Sequence, residues 1–279
     1  MSKKILITGS TGFVGRQVLS NLLKNKIKVR AIIRKARENF FKDKYPKVEL
    51  IITNDLFKES ADWWAEQCKG IHTIIHIAWY VENGKYLQSP NNIDCLIGSL
   101  NLVKGGIKAG IKRFVGIGTC FEYDLNIQNL SVDTPLKPST TYAAAKAGLY
   151  TFISQLLPLY SIEFSWCRLF YLYGEGEDKR RLVPYLHDQL SKGKVVKLTS
   201  GKQTRDFLDV SKVGQIITNI AMGQHQGPIN ICSGVPITVR QLAEEIANEY
   251  GRLDLLKFGQ KSDNLVDPLY VVGVPNYEL

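Results

Sequence analysis

Two rhythms of apolar residues alternate along the first two thirds of the chain. "KKILIT", "KVRAIIR", "KVELIIT", "HTIIHIA", "RFVGIGT" and "IEFSWCRLF" are short, continuous apolar runs. Such runs read as strands buried on both faces. Between them, "FVGRQVLSNLLKN", "ADWWAEQCKG", "NIDCLIGSLNLVKGGIKAG" and "TTYAAAKAGLYTFISQLL" carry apolar residues at helical spacing. Gly70 and Gly110 close two of these helices and Pro158 stops a third. Strand alternating with helix predicts an α/β fold, a doubly wound parallel sheet of Rossmann type, over residues 1–170. After residue 170 the pattern changes to helices near 180–191, 211–222 and 238–250, joined by short strands and Gly/Pro turns. Residues 171–279 therefore read as a smaller C-terminal substrate lobe, partly interleaved with the first domain.

The turn after the first strand is "ITGSTGFVG", with Gly9, Gly12 and Gly15 opening the first helix. Glycines here allow a tight turn, close approach of a pyrophosphate, and close packing of helix on sheet. The helix start, Thr11 to Val14 with Phe13 between, supplies backbone donors and a positive dipole end for phosphates. An acid closing the second strand would bind the ribose hydroxyls of NAD. That strand instead ends "AIIRK", and Arg34 and Lys35 suit a 2′-phosphate, so NADP(H) is expected. Asp55 and Leu56, after the third strand, are placed to flank the adenine.

Charge fits this picture without widening it. The net charge of +10 is concentrated in basic residues of the first fifty positions. No nucleic-acid-binding motif or basic amphipathic helix accompanies them, so neither nucleic acid nor membrane is expected as a partner. The longest apolar run is far too short to span a bilayer. "MSKKILITGS" lacks a signal-peptide pattern, which points to the cytoplasm. Five cysteines and four histidines are scattered without metal-ligand spacing, so no metal site is expected.

"TYAAAKAG" sets Tyr142 and Lys146 four apart, one helical turn, on one face. Spacing alone allows either proton-transfer chemistry or a tyrosine packed under a lysine stem. With the glycine loop, "HIAW", "GTCFEYD" and "YAAAK" in that order, the chain resembles the extended short-chain dehydrogenase/reductase (NAD-dependent epimerase/dehydratase) family along essentially its whole length. The resemblance implies Tyr142 as acid/base, Lys146 as its partner, Thr119 as the hydroxyl holding the reacting oxygen, and Ala78 beside the cofactor. It also implies a nucleotide-diphosphate sugar substrate. "CRLFYLYGEGED", "TSGKQTRDFLDVSKV" and "GPINICSG" resemble the family's later segments.

Departures from the family pattern narrow the reaction. Family dehydratases carry Asp and Glu after the catalytic Thr; here Cys120 and Phe121 stand there. Glu122, one place on, is expected to point to the opposite face of an extended strand end. Members that epimerise before reducing carry Cys and His at positions that are Phe121 and a histidine-free "YGEGED" turn here. After the fourth strand "AWY", Ala78-Trp79-Tyr80, replaces an Ala-Ala pair, and Tyr171 replaces a substrate-facing Asn, putting aromatics where a sugar would sit. Cys120 lines the same region. Arg205 matches the diphosphate-binding arginine, with Arg181 a further candidate. "GEGEDKRRLVPYL", "GKQTRDFLDV" and "LLKFGQKSDN" resemble reductases of nucleotide-linked 4-keto-6-deoxyhexoses, the group that includes CDP-abequose synthases. That group would continue into a last helix past "VPNYEL". The implied activity is NADPH-dependent C4-ketoreduction, with 4-epimerisation by the same triad as the alternative. A homodimer is expected through the two long helices, with Tyr150, Ile153 and Leu157 meeting the partner.

Overall fold

The computed structural model describes residues 3–263 and 268–277. Asn264, at the end of "LLKFGQKSDN", and the final "EL" lie outside them.

The first six strands are β1 (Lys4–Thr8), β2 (Lys28–Arg34), β3 (Glu49–Thr53), β4 (Thr73–His76), β5 (Arg113–Thr119) and β6 (Glu163–Leu169). The helices between them are α1 (Phe13–Lys24), α2 (Glu38–Lys44), α3 (Ala61–Gln67), α4 (Asn91–Ala109) and α5 (Thr141–Leu156). Later elements are β7 (Tyr171–Tyr173), α6 (Leu182–Ser191), β8 (Val196–Lys197), β9 (Thr204–Asp209), α7 (Val210–Met222) and β10 (Gly227–Ile231). The chain closes with β11 (Pro236–Thr238), α8 (Val239–Glu249), β12 (Leu256–Lys257) and β13 (Tyr270–Val271).

Seven parallel strands form the main sheet in the order β10-β6-β5-β4-β1-β2-β3. The direction of winding reverses between β1 and β4, and in open α/β sheets ligands bind in the crevice beyond the strand ends at such a point. Successive residues of β1 serve opposite faces, as strand geometry requires. Ile5 and Ile7 join Val18, Leu22 and Ile217 under α1 and α7, whereas Leu6 joins Trp64, Leu102 and Leu149 under α3, α4 and α5.

The sheet's last strand, β10, and the helix α7 packed on α1 come from beyond residue 170, so the chain returns to the first domain before it ends. The remaining C-terminal segments make a small sheet of β11, β9, β13 and β7, and a separate core of α6, α8, β8 and β12.

Candidate active site at the ends of β1, β4 and β5

The glycine loop closes on itself and on the strand next to it. Gly9 has φ +74°, and a Cβ there would overlap the Ala78 amide, so the loop lies directly against the turn after β4. A Cβ on Gly15 would overlap the Gly9 carbonyl. Gly12 caps α1 without a side-chain bond, and Gly12 N–H donates to Gly9 O at 3.0 Å. The first N–H groups of α1, from Phe13 and Val14, are thus left for an anion. Thr11 is half-buried beside them, and the Ser10 hydroxyl is buried with no partner among the described residues.

His76 locks this corner. Thr8 Oγ1 accepts from Ile77 N–H (3.2 Å) and Ala78 N–H (3.3 Å), so its own hydrogen points to His76 Nδ1 at 2.8 Å. Ser99 donates to Cys95 O at 2.6 Å, so His76 Nε2–H donates to Ser99 Oγ at 2.7 Å. Burial first, then the Lys146 charge, push the imidazole down to about 3, and it is neutral. The motif "HIAW" by itself gives this residue no role. Its signal was a lone histidine at the buried end of an apolar strand.

At the second strand's end Arg34 is exposed, and no hydrogen bond or ion pair engages its guanidinium among the described residues. Lys35 begins a short exposed turn beside it. Asp55 caps the turn after β3, accepting from Phe57 N–H at 3.0 Å, and Leu56 is buried under it. No carboxylate ends β2. The loop and the bare helix start fit the pyrophosphate of a nicotinamide dinucleotide.

Thr119, Tyr142 and Lys146 come together at the next strand end. Thr140 caps α5, accepting from Ala143 N–H at 3.2 Å, and this sets Tyr142 in the first turn facing the sheet. The Thr119 hydroxyl, which accepts from Phe121 N–H at 3.3 Å, lies near enough to the Tyr142 phenol to favour its ionised form slightly. Lys146 is buried and donates to Ile117 O at 2.5 Å. Its ammonium sits 4.1 Å from the centre of the Trp79 ring and 5.9 Å from that of Tyr142. Burial pushes the phenol up and the ammonium down from their ordinary values.

Trp79 is packed rather than displayed. It donates to Asn92 Oδ1 at 2.9 Å and meets Tyr142 edge-on at 6.4 Å. Tyr80, next along, is half-buried and donates to Glu82 at 3.0 Å.

Glu122 departs from the expected orientation. Cys120–Glu122 do not continue as strand but form a 3₁₀ turn, so alternation stops at Thr119. The carboxylate turns back, accepts from Thr119 N–H at 2.8 Å, and pairs with Arg168 at 2.7 Å. Cys120 is buried in the same turn, and burial pushes its thiol well up, so it offers no thiolate.

The outer candidates are spread more widely. Tyr171, on β7, is half-buried against Phe121 and Phe207. Arg205 is 2 % exposed, lies 5.0 Å from the Tyr171 ring centre, and donates to Thr204 O. Arg181 is half-exposed at the start of α6 and pairs with Glu177 at 3.4 Å. Burial pushes the Glu177 carboxyl up to about 7. Among the described residues no group of three or more His, Cys, Asp or Glu could hold a metal ion, and no helix is long and apolar enough to cross a membrane.

Fold and loop together define a dinucleotide-binding α/β protein of the doubly wound class. The chain belongs to the NAD dependent epimerase/dehydratase family, whose description matches residues 5–232. It is 24% identical over 257 residues to dTDP-6-deoxy-L-talose 4-dehydrogenase (NAD(+)) of Aggregatibacter actinomycetemcomitans, covering 88% of this chain and 90% of that one. It is 25% identical over 283 residues to CDP-abequose synthase of Salmonella typhimurium, covering 95% and 88%. The fold matches UDP-glucose 4-epimerase of Thermotoga maritima, solved with UDP-glucose, with a TM-score of 0.82 at 19% identity, covering 98% of this chain and 90% of that one. It also matches dTDP-glucose 4,6-dehydratase of Streptomyces venezuelae, solved with NAD, with a TM-score of 0.81 at 20% identity, covering 98% and 88%.

Proposed function

We propose that the protein is an enzyme acting on a nucleotide sugar, and specifically an NADPH-dependent C4-ketoreductase of a nucleotide-diphosphate 4-keto-6-deoxy sugar. One observation carries the choice of reaction. The turn beside Thr119 offers no free acid or base, since Cys120 is a buried thiol, Phe121 is apolar and Glu122 is bound to Arg168. Elimination or inversion at a neighbouring carbon needs such a group; reduction of a ketone needs only the triad. Relatives named for oxidoreduction at a sugar C4 and for CDP-abequose synthesis support this reading. NADP rather than NAD rests on Arg34, against relatives and solved structures whose names carry NAD.

A bound nicotinamide supplies the hydride. Thr119 donates to the ketone oxygen as negative charge develops there. Tyr142 gives its phenolic proton to that oxygen, and Lys146 stabilises the phenolate left behind. Tyr171 and Arg205 would face the sugar and its diphosphate from the lobe 171–279, with Arg181 at its rim, while 1–170 with β10 and α7 holds the cofactor.

The dimer face differs from the one expected. Ile153 and Leu157 are fully buried against the sheet, and Tyr150 stacks over Phe164 and Trp166. The helical phase puts Phe152 (55 % exposed) outward, in a groove with Leu100 and Ile107 of α4, and Leu159 (80 %) is exposed just past the helix. This apolar face supports a homodimer. Five free, buried cysteines are consistent with a reducing, cytoplasmic setting.

A panel of CDP-, dTDP-, GDP- and UDP-linked 4-keto-6-deoxy sugars, assayed for NADPH consumption, tests the reading. Stoichiometric loss of NADPH with one of them supports it. Interconversion of 4-epimers without net NADPH loss would favour the epimerase alternative.

A further inference from the structure

Behind the catalytic set lies a buried charged network that the reduction itself does not consume. Glu122 and Arg168 are both essentially inaccessible, at 0 % and 1 %. Glu122 Oε1 accepts from Thr119 N–H, and the Trp166 indole N–H lies 3.1 Å from both carboxylate oxygens. Arg168 Nε reaches Oε2 at 2.7 Å, and its Nη1 donates to Tyr123 OH at 3.0 Å. The guanidinium is clamped between the Tyr123 and Tyr150 rings, 4.6 and 4.5 Å from their centres. Tyr123 in turn donates to Asn230 Oδ1 at 2.6 Å, which ties the unit to β10. The backbone is cut to fit it: a Cβ on Gly118 would overlap both the Trp166 indole nitrogen and the Glu122 carboxylate.

A buried ion pair gives weak return in stability, because desolvation offsets the attraction. A role in holding neighbours in place is a better account of this one. Of the pair, the carboxylate holds the Thr119 amide and the guanidinium reaches on to Tyr123 OH. We infer that the Glu122–Arg168 pair is a positioning unit of the active site: it fixes the Thr119 backbone, and hence its hydroxyl, against Tyr142, and it sets a fixed negative charge behind Lys146. The inference rests on the reading of Thr119, Tyr142 and Lys146 as the catalytic set.

Burial pushes the Glu122 carboxyl up from its ordinary value, and the Arg168 guanidinium is the largest influence holding it ionised, so the carboxylate depends on its partner. Lys146 is faced by Glu122 from the turn after β5, by Cys95 from α4, by the Trp79 ring, by neutral His76 on β4, and by Tyr142 on its own helix. Burial lowers the ammonium, and Glu122 is the largest opposing influence, with Cys95 next. Tyr86 and Cys120 also face Tyr142, and with Glu122 they favour its protonated form. Glu122 thus favours the pair's working state for reduction, an ammonium beside a protonated phenol.

The test is the titration of Lys146 by nitrogen–carbon NMR on lysine-labelled protein, the signal assigned by its loss in Lys146→Met. The unmodified enzyme is compared with Glu122→Gln and with the double variant Glu122→Gln/Arg168→Met. The double variant removes the charge without stranding a buried guanidinium. The midpoint is expected to fall by about one pH unit, tenfold in the equilibrium, in the double variant and further in the single one. An unchanged or raised midpoint overturns the inference. Should either variant fail to fold, amide exchange in the unmodified protein decides: strong protection at Thr119 is expected, and exchange as fast as at the exposed residues overturns it. Positioning is read separately in Glu122→Met/Arg168→Met, which removes the acceptor for Thr119 N–H. Its kcat should fall on the order of 10²-fold with KM for NADPH unchanged. Part of the loss should return in Glu122→Gln/Arg168→Met, whose amide oxygen accepts again; equal kcat in the two double variants overturns the positioning claim. The titration and exchange need no substrate. Absence of turnover on every sugar nucleotide would therefore refute the reductase and leave the pair's role to be judged by NMR alone.

Discussion

Arg34 and Thr119 both end strands of one sheet, and their surroundings are opposite. Arg34 stands exposed at the end of β2 with its guanidinium unengaged among the described residues. Thr119 ends β5 inside a packed network, bonded through Glu122 to Trp166 and Arg168 of the neighbouring strand and through Tyr123 to β10. A group that recognises a charged ligand must keep its hydrogen bonds free. A group that orients a reacting atom must have its own position over-determined. Changes at the first place should alter which cofactor binds and little else; changes at the second should alter rate and stability together.

The largest effect is expected where the network meets the chemistry. Tyr142→Phe should lose on the order of 10²–10⁴-fold in turnover while NADPH affinity, read by fluorescence titration, is kept. A Phe variant of near-normal rate would place the acid elsewhere, although neither Cys120 nor Glu122 is free to serve. Arg168→Ala leaves the Glu122 carboxylate buried and unpaired, which should cost about 3–5 kcal/mol in urea unfolding. A loss no greater than that of a surface substitution would mean the network is looser than its geometry.

His76 supplies a slower test of how tightly the corner is locked. Its folded value of about 3 lies below its ordinary 6.5. The unfolded chain therefore binds the extra proton first as pH falls. This contribution to stability is complete above about pH 6.5 and is lost as pH falls towards 3, at up to about 1.4 kcal/mol per pH unit. His76→Asn should lack that part of the slope, and urea unfolding at a series of pH values measures the difference.

At the open end, Arg34→Ala should remove about 1.5–3 kcal/mol of the preference for NADPH over NADH without changing the melting temperature. Equal affinities in the unmodified protein would remove the basis for NADP. The smallest effect on the folded chain is expected at Phe152→Glu, within about 0.5 kcal/mol for a surface site. Light scattering should nevertheless show it as a monomer near 31.4 kDa, against the dimer expected of the unmodified protein. Ile153→Glu, by contrast, would put a charge into the core and unfold the helix packing rather than the dimer.

The strand and helix order, the glycine loop, the missing acid after β2 and the one-turn spacing of Tyr142 and Lys146 were legible in the chain. Each depends on residues adjacent in sequence, where backbone sterics and the periods of strand and helix act directly. Tertiary structure decided the rest. Glu122 could not be oriented by alternation because the strand gives way to a 3₁₀ turn, and its partner Arg168 lies 46 residues away on β6. Trp79, read as a sugar-facing aromatic, is held inward by Asn92 and by the Lys146 ammonium. The outward face of α5 carries Phe152 rather than Ile153; apolar residues of "GLYTFISQLL" fall on more than one side of the helix, and only the sheet's location selects which of them is covered. β10 joins the first domain's sheet although it lies beyond residue 170, since hydrogen bonding along β6 depends on which strand edge is left open and not on distance along the chain.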